Sequence, residues 1–556
     1  LVIEFLSDRP ALCHLFLRFH SLVRGATTVD YQNFERFIYS RIKRRSLIIG
    51  AGALTGLALA SQFSHQRAIA QVPFSSYPFT LGVASGEPYP TSIVLWTRLA
   101  PDSLNGGGMP QVNVPIRWEV ATDPYLKHIV AKGTEIAIPE LAHSVRVVVE
   151  GLKPNTWYWY RFTSGGEASP IGRTRTAPKL GSNVSKFAFA FVSCQHYEQG
   201  YYTAYKYLAE DDLDLVVHLG DYIYEGGITS GRVRQHNSPE ILTLEDYRNR
   251  YALYKSDLNL QAAHAAFTWI VTWDDHEVEN NYANATSEVD NEPDQDPEVF
   301  LQRRAAAYQA YYEHMPLRPF SKPEGPDMQL FRRLSFGNLA TFHVLDTRQY
   351  RTDQPCGDGT KQRCPENFDP NATITGKRQE NWLYRGLDRS QAQWNIVAQQ
   401  VMVAQRDTTP GEGETFSMDK WDGYLASRDR FMRFLEQRKP SNPVVLTGDI
   451  HSNWAMDLKA DYSNPESSIV GSEFVCTSIS SGGDGSDSNP TVTAYLPDNP
   501  HIKFYNGQRG YVRCVLNPIN WQTDYLVLSN VTTESGTISK RASFVIENGR
   551  LGIQKV

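Results

Sequence analysis

The chain has 556 residues, of which 41% are hydrophobic, 12% aromatic and 21% charged. This is more than one ordinary domain, and 65 aromatic residues (11 Trp, 29 Tyr, 25 Phe) exclude a mainly disordered chain. The formal charge of −6 excludes a basic nucleic-acid binder, and a single apolar run near the N-terminus excludes a polytopic membrane protein.

That run follows the basic cluster Arg41-Ile42-Lys43-Arg44-Arg45 and continues through Gly/Ala-rich sequence to Ala60, with Ala68-Ile69-Ala70 before Gln71. Basic residues, a mildly apolar stretch and an A-x-A-like site are the three parts of an export signal. The Arg44-Arg45 pair directly before the stretch resembles a twin-arginine signal. Residues 1–70 are therefore expected to be an N-terminal extension and signal, with an alternative start near Val29. The expected route is the twin-arginine export machinery to a periplasmic or extracellular location, with no stable membrane span after processing. Removing residues 1–70 takes the net charge from −6 to −11.

Residues 71–180 read as an all-β domain. Ser92–Arg98, Val114–Val120 and Ser144–Glu150 suit strands, and Gly151–Phe162 reads as a turn followed by an alternating aromatic strand. Its Leu-x-Pro-x-Thr-x-Tyr-x-Tyr pattern resembles the corner of a fibronectin-type-III-like sandwich. From residue 181 to 556 the texture is α/β. The apolar runs Phe187–Ser193, Leu213–Leu219, Phe267–Trp273 and Pro443–Thr447 alternate with helical stretches at Val299–His314 and Arg428–Lys439. Ala542–Ile553 reads as a strand pair, and the acidic run Glu288–Glu298 reads as a solvated loop. Among six cysteines, Cys356 and Cys364 bracket a short Gly-containing loop and are expected to pair, with Cys476 and Cys514 a weaker pair.

Four apolar runs end in groups able to hold metal ions: Ser193-Cys194-Gln195, Gly220-Asp221-Tyr222-Ile223-Tyr224-Glu225, Asp274-Asp275-His276-Glu277 with Asn280 beyond it, and Gly448-Asp449-Ile450-His451. Carboxyl ends of strands are where α/β sheets place their sites, so all four are expected along one edge of a sheet. Any one alone reads as a helix cap or a hydrogen-bonded histidine.

Together they resemble the calcineurin-like metallophosphoesterases, in the branch of the PhoD-type alkaline phosphatases. Gly220-Asp221, Asp274-Asp275-His276-Glu277 and Gly448-Asp449-Ile450-His451 stand in three of the general family's blocks, while Cys194 stands where the general pattern has Asp-x-His. This departure and Val344-Leu-Asp346-Thr-Arg348-Gln-Tyr350 are features of the PhoD variant. The resemblance implies an α/β fold, a metallophosphoesterase β-sandwich flanked by helices behind the fibronectin-III-like domain.

It also implies roles. Asp221 would bridge two metals; Cys194 and Tyr224 would favour iron (Fe3+) beside it, and Asp275 and Asn280 with Asp221 would suit calcium. Asp449 and His451 would complete either shell. His276 would contact phosphate oxygens or the leaving group, or else orient Asp275 from outside the shell. Arg348 would offset charge on the phosphate, or else pair structurally with Asp346. The implied reaction is attack of metal-activated water on small phosphomonoesters, with phosphodiesters also accepted. The alternatives are a dedicated phosphodiesterase of phospholipase D type and, remotely, a catalytically dead exported binding protein. PhoD-type enzymes can close the site with a C-terminal helix, whereas the strand pair expected here would leave freer access for diesters.

Overall fold

A computed structural model describes residues 73–556; the expected signal, like Cys13, lies outside the described residues. A ten-stranded mixed sheet runs in the spatial order Arg550–Lys555, Ile538–Glu547, Asn520–Leu528, Gly510–Leu516, Phe187–Val192, Leu215–His218, Thr268–Val271, Val83–Tyr89, Ser92–Arg98, Ser144–Glu150. A seven-stranded sheet follows the order Arg332–Phe336, Ala340–Val344, Trp394–Ala398, Pro443–Thr447, Ile469–Val475, Asn453–Lys459, Ile502–Asn506.

The two sheets stack because their strands alternate. In Phe187–Val192 the three phenylalanines pack into the inter-sheet core with Leu215, Val217, Phe342, Ile396 and Leu446, while Ala188, Ala190 and Val192 face a second core under the helices. The small side chains on that face admit the aromatic residues of Thr203–Ala209, Leu244–Lys255 and Pro297–His314. A third core lies under Gly376–Arg389 and Leu425–Arg438 on the other side of the seven-stranded sheet. The result is helices, sheet, sheet, helices.

The N-terminal all-β region is continuous with this body. Val83–Tyr89 pairs in parallel with Thr268–Val271, so three early strands extend the ten-stranded sheet. Its remaining strands, among them Val114–Ala121 and Trp157–Ser164, form a separate sheet packed over Val83, Ile93, Leu95 and Val147. Residue 180 is therefore a change of topology without a break in the large sheet, and the described residues form one compact unit.

Cys356 and Cys364 form the expected disulfide. Cys476 and Cys514 do not pair: both are free and buried, with the Cys476 thiol 3.3 Å from Ser193 Oγ and that of Cys514 3.7 Å from Thr523 Oγ1. The acidic run is not wholly solvated either. Asp294 is buried against Arg303, and Asp296 caps Pro297–His314 by accepting from the Glu298 N–H.

Candidate metal centre

Each candidate block follows a strand: Cys194 after Phe187–Val192, Asp221 after Leu215–His218, Asp274, Asp275 and His276 after Thr268–Val271, and Asp449 and His451 after Pro443–Thr447. The expectation of one sheet edge is corrected here. Three of these strands belong to the ten-stranded sheet and the fourth to the seven-stranded one, so the site spans the carboxyl ends of both. The edges meet because Gly448 has no side chain; a Cβ there would lie 2.8 Å from Ser193 Cβ. Backbone bonds from the Cys194 and Gln195 N–H groups to the carbonyls of Gly220 and Asp221 tie two of the loops (3.1 and 3.0 Å).

The local backbone is strained at four of the named groups. Cys194, Asp221, Asp449 and His451 have φ of 59°, 56°, 64° and 56°, the left-handed region that non-glycine residues avoid at a cost of roughly 1–3 kcal/mol each. Gly220 stands at φ 118°, where a Cβ would come within 2.5 Å of Asp274 Cβ. These sharp turns aim three of the four strand ends into one space.

Within that space, three sets each bring ligand atoms within 4.8 Å of one another: Cys194, Asp221 and His451; Asp221, Asp275 and His276; Asp274, Asp275 and Asp449. Asp221 is common to the first two sets and Asp275 to the last two. The Tyr224 hydroxyl lies 3.0 Å from Asp221 Oδ2 and 3.1 Å from His451 Nε2, which adds a phenol to the first set. Asp221 Oδ1, Asp274 Oδ2 and Asp275 Oδ1 are buried and accept no hydrogen bond. Buried carboxylate oxygens without donors are costly unless a cation faces them, so the residues fit a metal cluster.

Burial dominates the electrostatics. Burial, then the Asp221 charge, pushes the Cys194 thiol and the Tyr224 phenol up. Burial also raises Asp221, against the pull of His276. Burial would raise Asp275 too, but Arg348 and His276 outweigh it and hold its carboxyl below the usual range. Burial and Arg509 keep His451 neutral, at about 3, as a metal-binding imidazole must be.

Other groups hold these in place. Glu277 accepts the N–H groups of Asp221 (3.0 Å), Tyr222 (2.6 Å) and Asp274 (2.7 Å). Glu225 takes His276 Nδ1 at 2.7 Å, and the His276 ring packs 4.1 Å from the Tyr224 ring. The Ser481 hydroxyl donates to the Tyr224 oxygen (2.8 Å), and Arg509 donates to the His451 carbonyl. Glu225 and Glu277 stood inside the quoted blocks without a role. Ser481 and Arg509 carried no sequence signal, because they arrive from loops with no periodic pattern.

One expectation changes. Arg348 does not present its guanidinium to a substrate, since its side chain is 0% exposed. It donates to Asp274 Oδ1 (2.6 Å) and, through two nitrogens, to Asp419 (2.7 and 3.0 Å), with Asp275 at 3.5 Å and Asp449 at 3.8 Å. Nor is it an ion pair of Asp346, whose carboxylate accepts instead from the Arg348 backbone N–H (3.0 Å). Burial beside three ligand-set carboxylates makes it a positioning group. The Asn280 amide nitrogen donates to Glu288 (2.6 Å) and its backbone N–H to Glu225 (2.8 Å).

Residues 189–525 match the PhoD-like phosphatase family, and residues 64–178 match the N-terminal domain of that family. Alkaline phosphatase D of Bacillus subtilis (strain 168) is 54% identical over 531 residues, which span 94% of this chain and 90% of the relative. A solved structure described as the structure of PhoD has a TM-score of 0.85 at 56% identity, covering 87% of this chain and 93% of that one. Fold, strand-end site and these similarities define a mixed α/β phosphoric ester hydrolase. The chain belongs to the PhoD-like phosphatase family, as the sequence motifs implied.

Proposed function

We propose that this chain is an exported, metal-dependent alkaline phosphatase that hydrolyses phosphomonoesters and also accepts phosphodiesters. The observation that carries the reading is the convergence of strained strand-end ligands on carboxylate oxygens that are buried without donors. Cys194, Asp221, Tyr224 and His451 offer a thiolate, a carboxylate, a phenolate and an imidazole, a set suited to iron (Fe3+). Asp221, Asp274, Asp275 and Asp449 offer the oxygen-rich set suited to calcium. Asn280 would join it through Oδ1, the side-chain atom its bond to Glu288 leaves available.

When bound, such ions polarise the phosphoryl oxygens and lower the pKa of water. The chain's own residues do the rest. Glu225 fixes the His276 ring through Nδ1, which leaves Nε2 as the atom for a phosphate oxygen or the leaving group. Glu277 and Arg348 hold the ligand loops in register, so little reorganisation accompanies the reaction. Export rests on the segment around Arg44-Arg45; among the described residues no helix is long and apolar enough to cross a membrane.

The test is hydrolysis of p-nitrophenyl phosphate beside bis(p-nitrophenyl) phosphate by the full chain, at alkaline pH with calcium present and bound metal measured. Faster monoester turnover is expected. Faster diester turnover would instead make the protein a dedicated phosphodiesterase, and no turnover of either ester would overturn the reading.

A further inference from the structure

Arg348 is unavailable to a substrate, so a side-chain cation facing a bound phosphoryl group has to come from elsewhere in the site. We infer that Lys420 is that cation: a substrate-binding residue that contacts the phosphate held at the Asp274, Asp275 and Asp449 edge of the site. This rests on the phosphoesterase reading above and names a residue of that same site.

Three observations converge. The first is position. Lys420 Nζ donates to Asp449 Oδ2, so its ammonium already reaches a carboxylate of the third ligand set. An ammonium that reaches this carboxylate can also reach an anion held beside it, because a lysine carries three rotatable donors on a flexible stem.

The second is accessibility. The Lys420 side chain keeps 12% of its surface in solvent, whereas those of Arg348 and Arg351 keep 0%. Both arginines are committed to Asp419, with Arg351 Nη1 at 2.5 Å from the oxygen that Arg348 Nη1 also takes at 2.7 Å. Arg509 is spent on the carbonyls of His451 and Gly483.

The third is the turn that presents it. Asp419 also accepts from Gln354 Nε2 (3.0 Å), Trp421 Nε1 donates to Gln399 (3.2 Å), and Asp422 pairs with Arg428. The Gly423 N–H closes the turn on the Lys420 carbonyl at 2.9 Å, and a Cβ on Gly423 would collide with the Met418 carbonyl. Every neighbour of Lys420 is anchored in the core, and Lys420 alone stands at the rim. A turn anchored on both sides holds a cation where charge develops without ordering it at the moment of binding.

The experiment compares the wild-type full chain with Lys420→Gln and Lys420→Arg. It measures the inhibition constant of inorganic phosphate, KM and kcat for p-nitrophenyl phosphate, and bound metal by mass spectrometry. Lys420→Gln is expected to weaken phosphate inhibition and raise KM about tenfold or more with bound metal unchanged, and Lys420→Arg to restore most of the loss. Unchanged phosphate inhibition with an altered metal content would overturn the inference, showing Lys420 to be only a counter-ion of Asp449. A wild type that neither hydrolyses the ester nor binds phosphate would instead overturn the functional reading beneath it.

Discussion

At Glu277 one buried carboxylate accepts backbone N–H groups from two strand ends at once, those of Asp221 and Tyr222 and that of Asp274. The amide of a glutamine has one acceptor oxygen where the carboxylate has two, so Glu277→Gln leaves at least one of these donors unpaired. That costs about 1–3 kcal/mol. It also loosens the strained turn at Asp221, so the variant should show a lower Tm and fewer bound metal ions per chain than wild type. Unchanged metal content would mean that the loops hold their shape without it. At this scale the convergence was legible: Cys194, Asp221, Asp275, Asp449 and His451, each after an apolar run, do come together in one space. Arg348 was misread because an arginine beside a site looks the same in sequence whether it faces a substrate or is buried among carboxylates. Lys420 was missed because one lysine in an irregular loop has no pattern to betray it.

The loop closed by Cys356–Cys364 bears on the site as an element. Asp358 within it accepts from Asn281 Nδ2 at 2.7 Å, and the Asn281 N–H in turn donates to Asp275 Oδ2 at 2.8 Å. The cysteines are 8 residues apart in sequence. Closing so small a loop restrains the unfolded chain by roughly 2–3 kcal/mol. Replacing both cysteines by serine should therefore lower Tm in thermal unfolding while most of kcat survives, because the loop's bonds towards the site, Asn281 to Asp358 and the Met418 N–H to the Gly359 carbonyl (2.8 Å), do not use the sulfurs. A collapse of kcat at unchanged Tm would contradict this. Elements themselves were readable where periodicity and boundaries agreed. Ser92–Arg98, Ser144–Glu150 and Pro443–Thr447 have the bounds that their alternation and flanking turns suggest. The helix expected to run to Lys439 stops at Arg438, because Lys439 turns left-handed (φ 47°) before Pro440. Sheet membership was not readable. The parallel partner of Ser85 is Thr268, and nothing local in either segment encodes a pairing at that separation.

Across the whole molecule, buried imidazoles set how stability responds to acid. His501, remote from the ligand sets, donates through Nε2 to the Gln405 carbonyl at 2.7 Å, and burial lowers it from 6.5 to about 4. The folded state thus resists protonation that the unfolded chain accepts. The contribution of neutral His501 is complete above about pH 6.5 and is lost as pH falls from there towards 4. Folding free energy measured by denaturant titration should fall over this window, and His501→Gln should fall less, by up to roughly 3 kcal/mol. Parallel curves for the two proteins would rule out this assignment. The same scale explains why the active region spans two sheets. Some strands of both sheets were foreseeable, but the stacking of the sheets depends on the fit of Phe187, Phe189 and Phe191 against Phe342 and Phe336, which a linear reading cannot supply.

The proposed role of the strand ends of both sheets is to hold metal ions for phosphoester hydrolysis. Its most direct test is to strip the full chain with a chelator, count residual metal, and follow p-nitrophenyl phosphate hydrolysis as iron and calcium are returned. Turnover is expected to disappear with the metal and to come back with it, iron and calcium both being required for full recovery. Undiminished hydrolysis by metal-free protein would contradict it.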